Sequence, residues 1–313
     1  MSEHELLLPQ VTEENICLPL AISAVSKYWN VNLPLSEAKE IAKKYPNVRG
    51  SILIEGIELA ERHGLGSLIL HSTVPELKKI IDMGIPPIVI LPGLYETVQH
   101  ASVISGYDEA EKTIIHYIPQ QDQIGAIPEK QFEKLWQEDG YLVILLAPPD
   151  IISTIRVENK SKEKSNRLCF VSEKLNLQGK HDDAVKSLKE AVTLDASNST
   201  ALCLLGGIYN ENNTQECVGF YEKSIEANKK CYLAYRGLGN YYLKTKQYDK
   251  ADSYYTEAIK INSSRFGPIY KNRGIAKMSQ NKNKEAKEDF ENYLKYTPNA
   301  KDRDNILQAI KEM

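Results

Sequence analysis

A chain of 313 residues, 42% hydrophobic and 26% charged, is long enough for two domains and has a globular rather than a disordered or fibrous composition. Its net charge of −3 hides an asymmetry: residues 1–150 hold 21 acidic and 11 basic side chains, a balance of −10, and residues 151–313 hold 21 and 28, a balance of +7. The basic half has no Arg-rich blocks with interleaved aromatics, which argues against nucleic acid as a partner, and no run of about 18 apolar residues marks a membrane span.

The N-terminus also lacks the basic flank and apolar run of a secretory signal, so a cytoplasmic location is expected. The five cysteines, Cys17, Cys169, Cys203, Cys217 and Cys231, are odd in number and form no close pair of the zinc or redox kind, which suits reduced thiols. His4, His63, His71 and His181 show no ligand spacing and no Walker-type loop is present, so neither a metal nor a cofactor is expected.

In chain order, apolar residues at Leu18, Ile22, Val25 and Trp29 predict a helix that opens near Cys17, with further helices over about 36–45, 54–64 and 74–83. Short β-rich runs follow: "GSLILHS", "PPIVILP", "HASVISGYD", "KTIIHYIP" and "GYLVILLAP", with the helical patch "PEKQFEKLWQ" between the last two. The first half is therefore read as α+β, a helical lobe followed by an antiparallel sheet over residues 1–150. That order resembles papain-like folds.

The stretch "QVTEENICLPLAISAVSKYW", followed by "PPIVIL", "HASVISGYD" and "FEKLW", is similar to the cysteine peptidase domain that removes double-glycine leader peptides at the front of bacteriocin-exporting ABC transporters. The resemblance covers roughly residues 6–147. It implies Cys17 as nucleophile at a helix start, His100 as its base at the head of a strand, and Gln10 as a side-chain donor to the tetrahedral oxyanion. Chemistry asks for these types: a helix N-terminus and a facing imidazole both favour the thiolate, and the imidazole then protonates the leaving amine. An oxyanion donor contributes roughly 3 kcal/mol.

The family pattern is departed from twice. Leu18 stands where the family has Gly after the Cys, and is expected to narrow access. Ile118 precedes Pro119 where the family has an Asp or Asn that orients the imidazole; His116 and Asp122 lie nearby, and neither is a clean replacement. The residues leave three readings open: a thiol peptidase acting on peptide or protein, a degenerate domain that grips a peptide without cutting, and an acyl-transfer enzyme using the same pair. Cys17 taken alone reads as a buried helix cysteine, and the context of Gln10 and His100 shifts that reading.

The second half repeats. Segments beginning at Leu168, Leu202, Tyr235 and Tyr270, spaced 34, 33 and 35 residues apart, carry a small residue (Ala184, Cys217, Ala251, Ala286) and a large one four later (Leu188, Tyr221, Tyr255, Phe290). Gly206, Gly239 and Gly274 mark close helix approach. This resembles the tetratricopeptide repeat, an all-α solenoid in which a bulky side chain fills the gap a small one leaves. Four units and a last helix at about 301–312 are expected over 164–313, after a linker at 151–163 that runs into "NKSKEKS". Tyr235, Tyr241, Tyr242, Tyr254 and Tyr255 are expected in the repeat core. The resemblance implies a protein or peptide partner for the repeats and no catalytic group within them.

Overall fold

The computed structural model describes residues 4–6, 17–45, 52–92, 99–118 and 123–313. Its chain divides into two units, Met1–Leu91 with His100–Ala201, and Pro92–Gln99 with Leu202–Met313.

The first unit contains β1 (His4–Glu5), α1 (Cys17–Tyr28), α2 (Leu35–Lys43), α3 (Leu53–Arg62), β2 (Gly66–His71), α4 (Val74–Asp82), β3 (Ile88–Pro92), β4 (Gln99–Asp108), β5 (Thr113–Ile118), β6 (Gln123–Pro128), α5 (Glu129–Glu138), β7 (Leu142–Ala147), α6 (Pro149–Thr154), α7 (Lys160–Leu177) and α8 (His181–Leu194). The strands form one sheet in the order β2-β7-β3-β4-β5-β6, with β1 added against β4. Gly106 permits that addition: a Cβ there would lie 2.8 Å from the Cα of Glu5, so a larger residue would push β1 away.

Strand alternation divides the apolar residues between two cores. On β7, Leu142, Ile144 and Leu146 face the core built with α1, α2 and α3, whereas Val143 and Leu145 face the core built with α4 and α5. Because both faces are covered, β7 is apolar throughout, which is why its sequence shows no alternation. The first helix, α1, is buried nearly all round; Leu20, Ala21, Ile22, Ala24 and Val25 are 0% exposed. Its Pro19 falls in the first turn, where the missing N–H costs no helical bond. The end of α1 is pinned to the sheet by Trp29, whose Nε1 donates to the Leu146 carbonyl at 2.9 Å.

Three elements were not foreseen. β1 and α6 are too short for a periodic signal, and β6, "QIGAIP", carries Gly and Pro at the sheet edge. The expected linker at 151–163 is corrected as well: it holds most of α6 and the start of α7. Asn159 caps α7, its Oδ1 accepting from the Ser161 and Lys162 N–H groups at 3.0 and 3.1 Å, so the charged run is the solvated first turns of a helix.

Nor is the first repeat hairpin, α7 and α8, separate from the sheet domain. Phe170 of α7 is buried in the core with α1 and α3. Arg167 pairs with Glu61 at 2.8 Å and Lys174 with Glu58 at 2.6 Å, and Asn166 Nδ2 donates to the Ile69 carbonyl of β2 at 3.0 Å.

The second unit continues the hairpins: most of α9 (Ser199–Glu211), then α10 (Glu216–Ala227), α11 (Tyr232–Lys244), α12 (Tyr248–Ile261), α13 (Pro268–Met278), α14 (Asn283–Tyr296) and α15 (Arg303–Glu312). The recurring small residues are buried, with Cys217, Ala251 and Ala286 all 0% exposed. The bulky ones fill the gaps: the Tyr255 ring lies over Gly239 and the Phe290 ring over Gly274. Tyr241, Tyr242 and Tyr255 are buried, while Tyr235 and Tyr254 pack partly buried against the same core.

Candidate functional site

Cys17 is the first residue of α1, so its side chain sits at the positive end of a buried helix. Burial pushes its thiol pKa up; hydrogen bonds from the backbone N–H of Ala101, then of Leu18 and of Cys17 itself, pull it down, and the net shift is upward. The thiol is protonated at neutral pH. The Ala101 contact places the sulfur at the head of β4, beside the residue that follows His100.

His100 is partly buried, and burial lowers its pKa, so its imidazole is neutral at neutral pH. Among the described residues no hydrogen bond joins the Cys17 sulfur to the His100 ring. The site therefore holds a neutral thiol and a neutral imidazole at neighbouring points of the fold. Gln10 and Asp122 lie outside the described residues, as does the side chain of Ile118.

Leu18 does not narrow access. Its side chain is 3% exposed and belongs to the core, where it lies 3.4 Å from the point a Cβ on Gly56 of α3 would occupy. Cys17, partly buried, packs at the margin of the same core, and the next residue along the helix turns fully into it.

A polar pair on β4 and β5 extends the site. Ser102 Oγ lies 3.0 Å from His116 Nδ1 and donates to the Tyr117 carbonyl at 3.1 Å. Ser102 is 0% and His116 9% exposed. Burial first, and the neighbouring His100 second, bring the His116 pKa down to about 4. Ser102 escaped the sequence reading, although two serines within the apolar run "ASVIS" were a signal; only the register, Ile104 opposite His116, brings Ser102 and His116 together.

The remaining cysteines have no such setting. Cys169 is buried and its thiol donates to the Ser165 carbonyl one turn back at 3.3 Å, and burial pushes its pKa far up. Cys217 is pushed up to about 11. Among the described residues no three His, Cys, Asp or Glu side chains gather as a metal site would require.

Comparison with known proteins finds a family match for the sheet-containing part of the chain. Residues 6–144 match the Peptidase_C39 like family. This region is a Peptidase_C39-like domain. Residues 232–265, which hold α11 and α12, match the tetratricopeptide repeat, so the chain joins a peptidase-like domain to a repeat solenoid. Two curated relatives are similar over shorter stretches: anaphase-promoting complex subunit 3 of Schizosaccharomyces pombe, 34% identical over 95 residues, 30% of this chain, and protein bimA of Emericella nidulans, 33% identical over 97 residues, 31% of this chain. The chain spans 14% and 12% of their lengths. Among solved structures, a double glycine motif protease from an AMS/PCAT transporter in complex with the leader peptide is 18% identical with a TM-score of 0.38, covering 47% of this chain and 96% of its own. A Pseudomonas aeruginosa pilF structure is 19% identical with a TM-score of 0.44, covering 49% and 71%.

Proposed function

We propose that the chain is a cytoplasmic thiol peptidase-like protein: Cys17 attacks a peptide carbonyl, His100 takes the thiol proton and returns it to the leaving amine, and the repeats recruit the substrate or a partner protein. The observation that carries this reading is the position of the Cys17 sulfur, at a helix N-terminus and against the Ala101 amide beside His100. Three backbone N–H groups converge there, a setting that favours negative charge on sulfur once substrate or a proton acceptor completes it. Gln10 is assigned the second oxyanion donor by its place in the sequence. The repeats make contacts with peptide or protein and supply no reacting group.

A second reading, a peptide-binding module without turnover, is favoured by one specific feature: both partners are neutral and unbonded, with the thiol pKa raised and the imidazole pKa lowered. One experiment separates them. Incubation of the full chain with a peptide library, read by mass spectrometry, should give cleavage products that disappear in Cys17→Ala, while circular dichroism of the variant is unchanged. Products that persist in Cys17→Ala exclude Cys17 as nucleophile. Peptide capture by both proteins without any products supports the binding module.

A further inference from the structure

We propose that Cys203 and Cys231 are a reversible dithiol–disulfide pair, oxidised by a low-molecular-weight disulfide of the glutathione type, which ties successive helices of the repeat solenoid together. The inference is independent of the thiol-peptidase reading: it uses neither Cys17 nor His100, and both thiols lie within the second unit.

Far apart in sequence, the two cysteines meet through the repeat fold. Cys203 lies on α9 and Cys231 directly precedes α11, so α10 and its flanking turns separate them along the chain. Stacking of one hairpin on the next returns the chain to α9, where the Cys203 thiol hydrogen-bonds with that of Cys231. Both are free thiols packed in the same core. Ser224 of α10, 0% exposed, donates from Oγ to Cys231 Sγ at 3.4 Å, which anchors the more buried sulfur. From such a contact, rotation of the two side chains brings the sulfurs to the roughly 2 Å of a disulfide bond.

The two thiols differ in access. Cys203 is partly buried and open to solvent, whereas Cys231 is 7% exposed, so Cys203 reacts first. Its thiolate attacks one sulfur of the external disulfide. A bond forms between Cys203 and that sulfur, the external S–S bond breaks, and the other half leaves as a thiolate that takes up the proton Cys203 lost. Cys231 then attacks the Cys203 sulfur, breaking the mixed disulfide and releasing the second half, which takes up the Cys231 proton. The two cysteines lose two electrons, and the external disulfide gains them to become two thiols. The surroundings set the pace: the hydrogen bond to Cys231 first, and burial second, push the Cys203 pKa well up, against a smaller downward pull from the Arg236 and Arg265 guanidiniums. Exchange is therefore slow at neutral pH and quickens as the pH rises, and in a reducing compartment the pair stays as thiols until the disulfide load increases. Once formed, the bond spans α9 to α11 and hinders their separation, a local effect in a solenoid where each repeat touches only its neighbours.

In the test, the full chain is incubated with glutathione disulfide at pH 8, quenched with acid, unfolded, alkylated with iodoacetamide and digested without reductant for mass spectrometry. A peptide linking Cys203 to Cys231 is expected, and it should be lost in Cys203→Ser. In Cys231→Ser, Cys203 should instead accumulate as a mixed disulfide with glutathione, because nothing resolves it. Amide hydrogen exchange of the oxidised full chain should slow by about tenfold or more in α9 and α11 and recover on addition of dithiothreitol; Cys231→Ser treated in the same way should show no slowing. Glutathione left on wild-type Cys203 without a linked peptide overturns the pairing, as does Cys203 linked to Cys217 as often as to Cys231. Cys203 recovered fully alkylated overturns the proposal outright, and a linked peptide with unchanged exchange overturns the tie between helices. Should a serine variant fail to fold, the wild-type linkage and its reversal by dithiothreitol still decide.

Discussion

His116 carries a consequence for stability that is independent of catalysis. Its folded pKa, about 4, lies below the roughly 6.5 of an unfolded histidine. Between those values the unfolded chain binds a proton that the native state refuses, so lowering the pH favours unfolding. The contribution is fully present above about pH 6.5, is lost as the pH falls towards 4, and is flat below. At about 1.4 kcal/mol per unit the loss is up to roughly 3 kcal/mol. Thermal unfolding of the wild type should therefore shift down between pH 7 and pH 4 by more than that of His116→Gln, which cannot titrate; parallel curves would show that the ring is solvated in the native state. The helix that opens at Cys17 and the strand that opens beside His100 were legible in the sequence because apolar periodicity can be read locally. The Ser102–His116 pair was not, since it depends on a register between two strands. The inward turn of Leu18 was legible as part of the apolar stripe with Ile22 and Val25; what the sequence did not show was its packing partner, Gly56 of α3.

Helical elements in the repeats were legible because each hairpin repeats the same packing problem, and small and large residues recur at fixed offsets. The glycines show how locally that problem is solved. In α11, a Cβ on Gly239 would lie 2.5 Å from the Tyr255 ring. That ring is 0% exposed and held by the Tyr255 hydroxyl donating to Asn240 Oδ1 at 2.8 Å. Two effects compete in Gly239→Ala: alanine favours the helix by about 1 kcal/mol, while overpacking costs about 1–3 kcal/mol. With the ring unable to withdraw, overpacking should win, and a net loss of about 1 kcal/mol or more is expected. Gly207 in α9 is the control, because a Cβ there meets nothing within 4 Å; Gly207→Ala should stabilise by about 0.5–1 kcal/mol. Chemical denaturation of both variants checks the pair, and equal destabilisation would mean that helix propensity and packing have been wrongly ranked. The strands that escaped the reading are those without a repeated pattern to betray them, such as β6 at the sheet edge.

Charge asymmetry along the chain has a structural counterpart where the halves of the sequence meet. Acidic α3 carries Glu55, Glu58 and Glu61; basic α7 answers with Lys174, which is 2.6 Å from Glu58 and 3.5 Å from Glu55, and with Arg167 at 2.8 Å from Glu61. Composition showed the two charges but not that they face each other, and the polar run at 159–165 read as a tether because its apolar residues are sparse. Phe170 decides the matter energetically, since a buried phenylalanine cut to alanine typically costs about 3–5 kcal/mol, more than partly exposed ion pairs such as Arg167–Glu61 contribute. The first repeat hairpin is therefore a wall of the peptidase-like domain. Three fragments test this. Residues 1–201 should unfold in one transition at the temperature of the N-terminal unit in the full chain, and residues 202–313 should be helical alone. Residues 1–158 lack Phe170 and both cations, and should melt well below 1–201 or aggregate through the uncovered face of α3 and β2. A fragment from 164 onward would keep the hairpin but expose Phe170, so it should bind apolar dyes more than 202–313 does. Equal melting of 1–158 and 1–201 would show the hairpin to be a bystander, and the ion pairs with α3 would then be surface contacts of little weight.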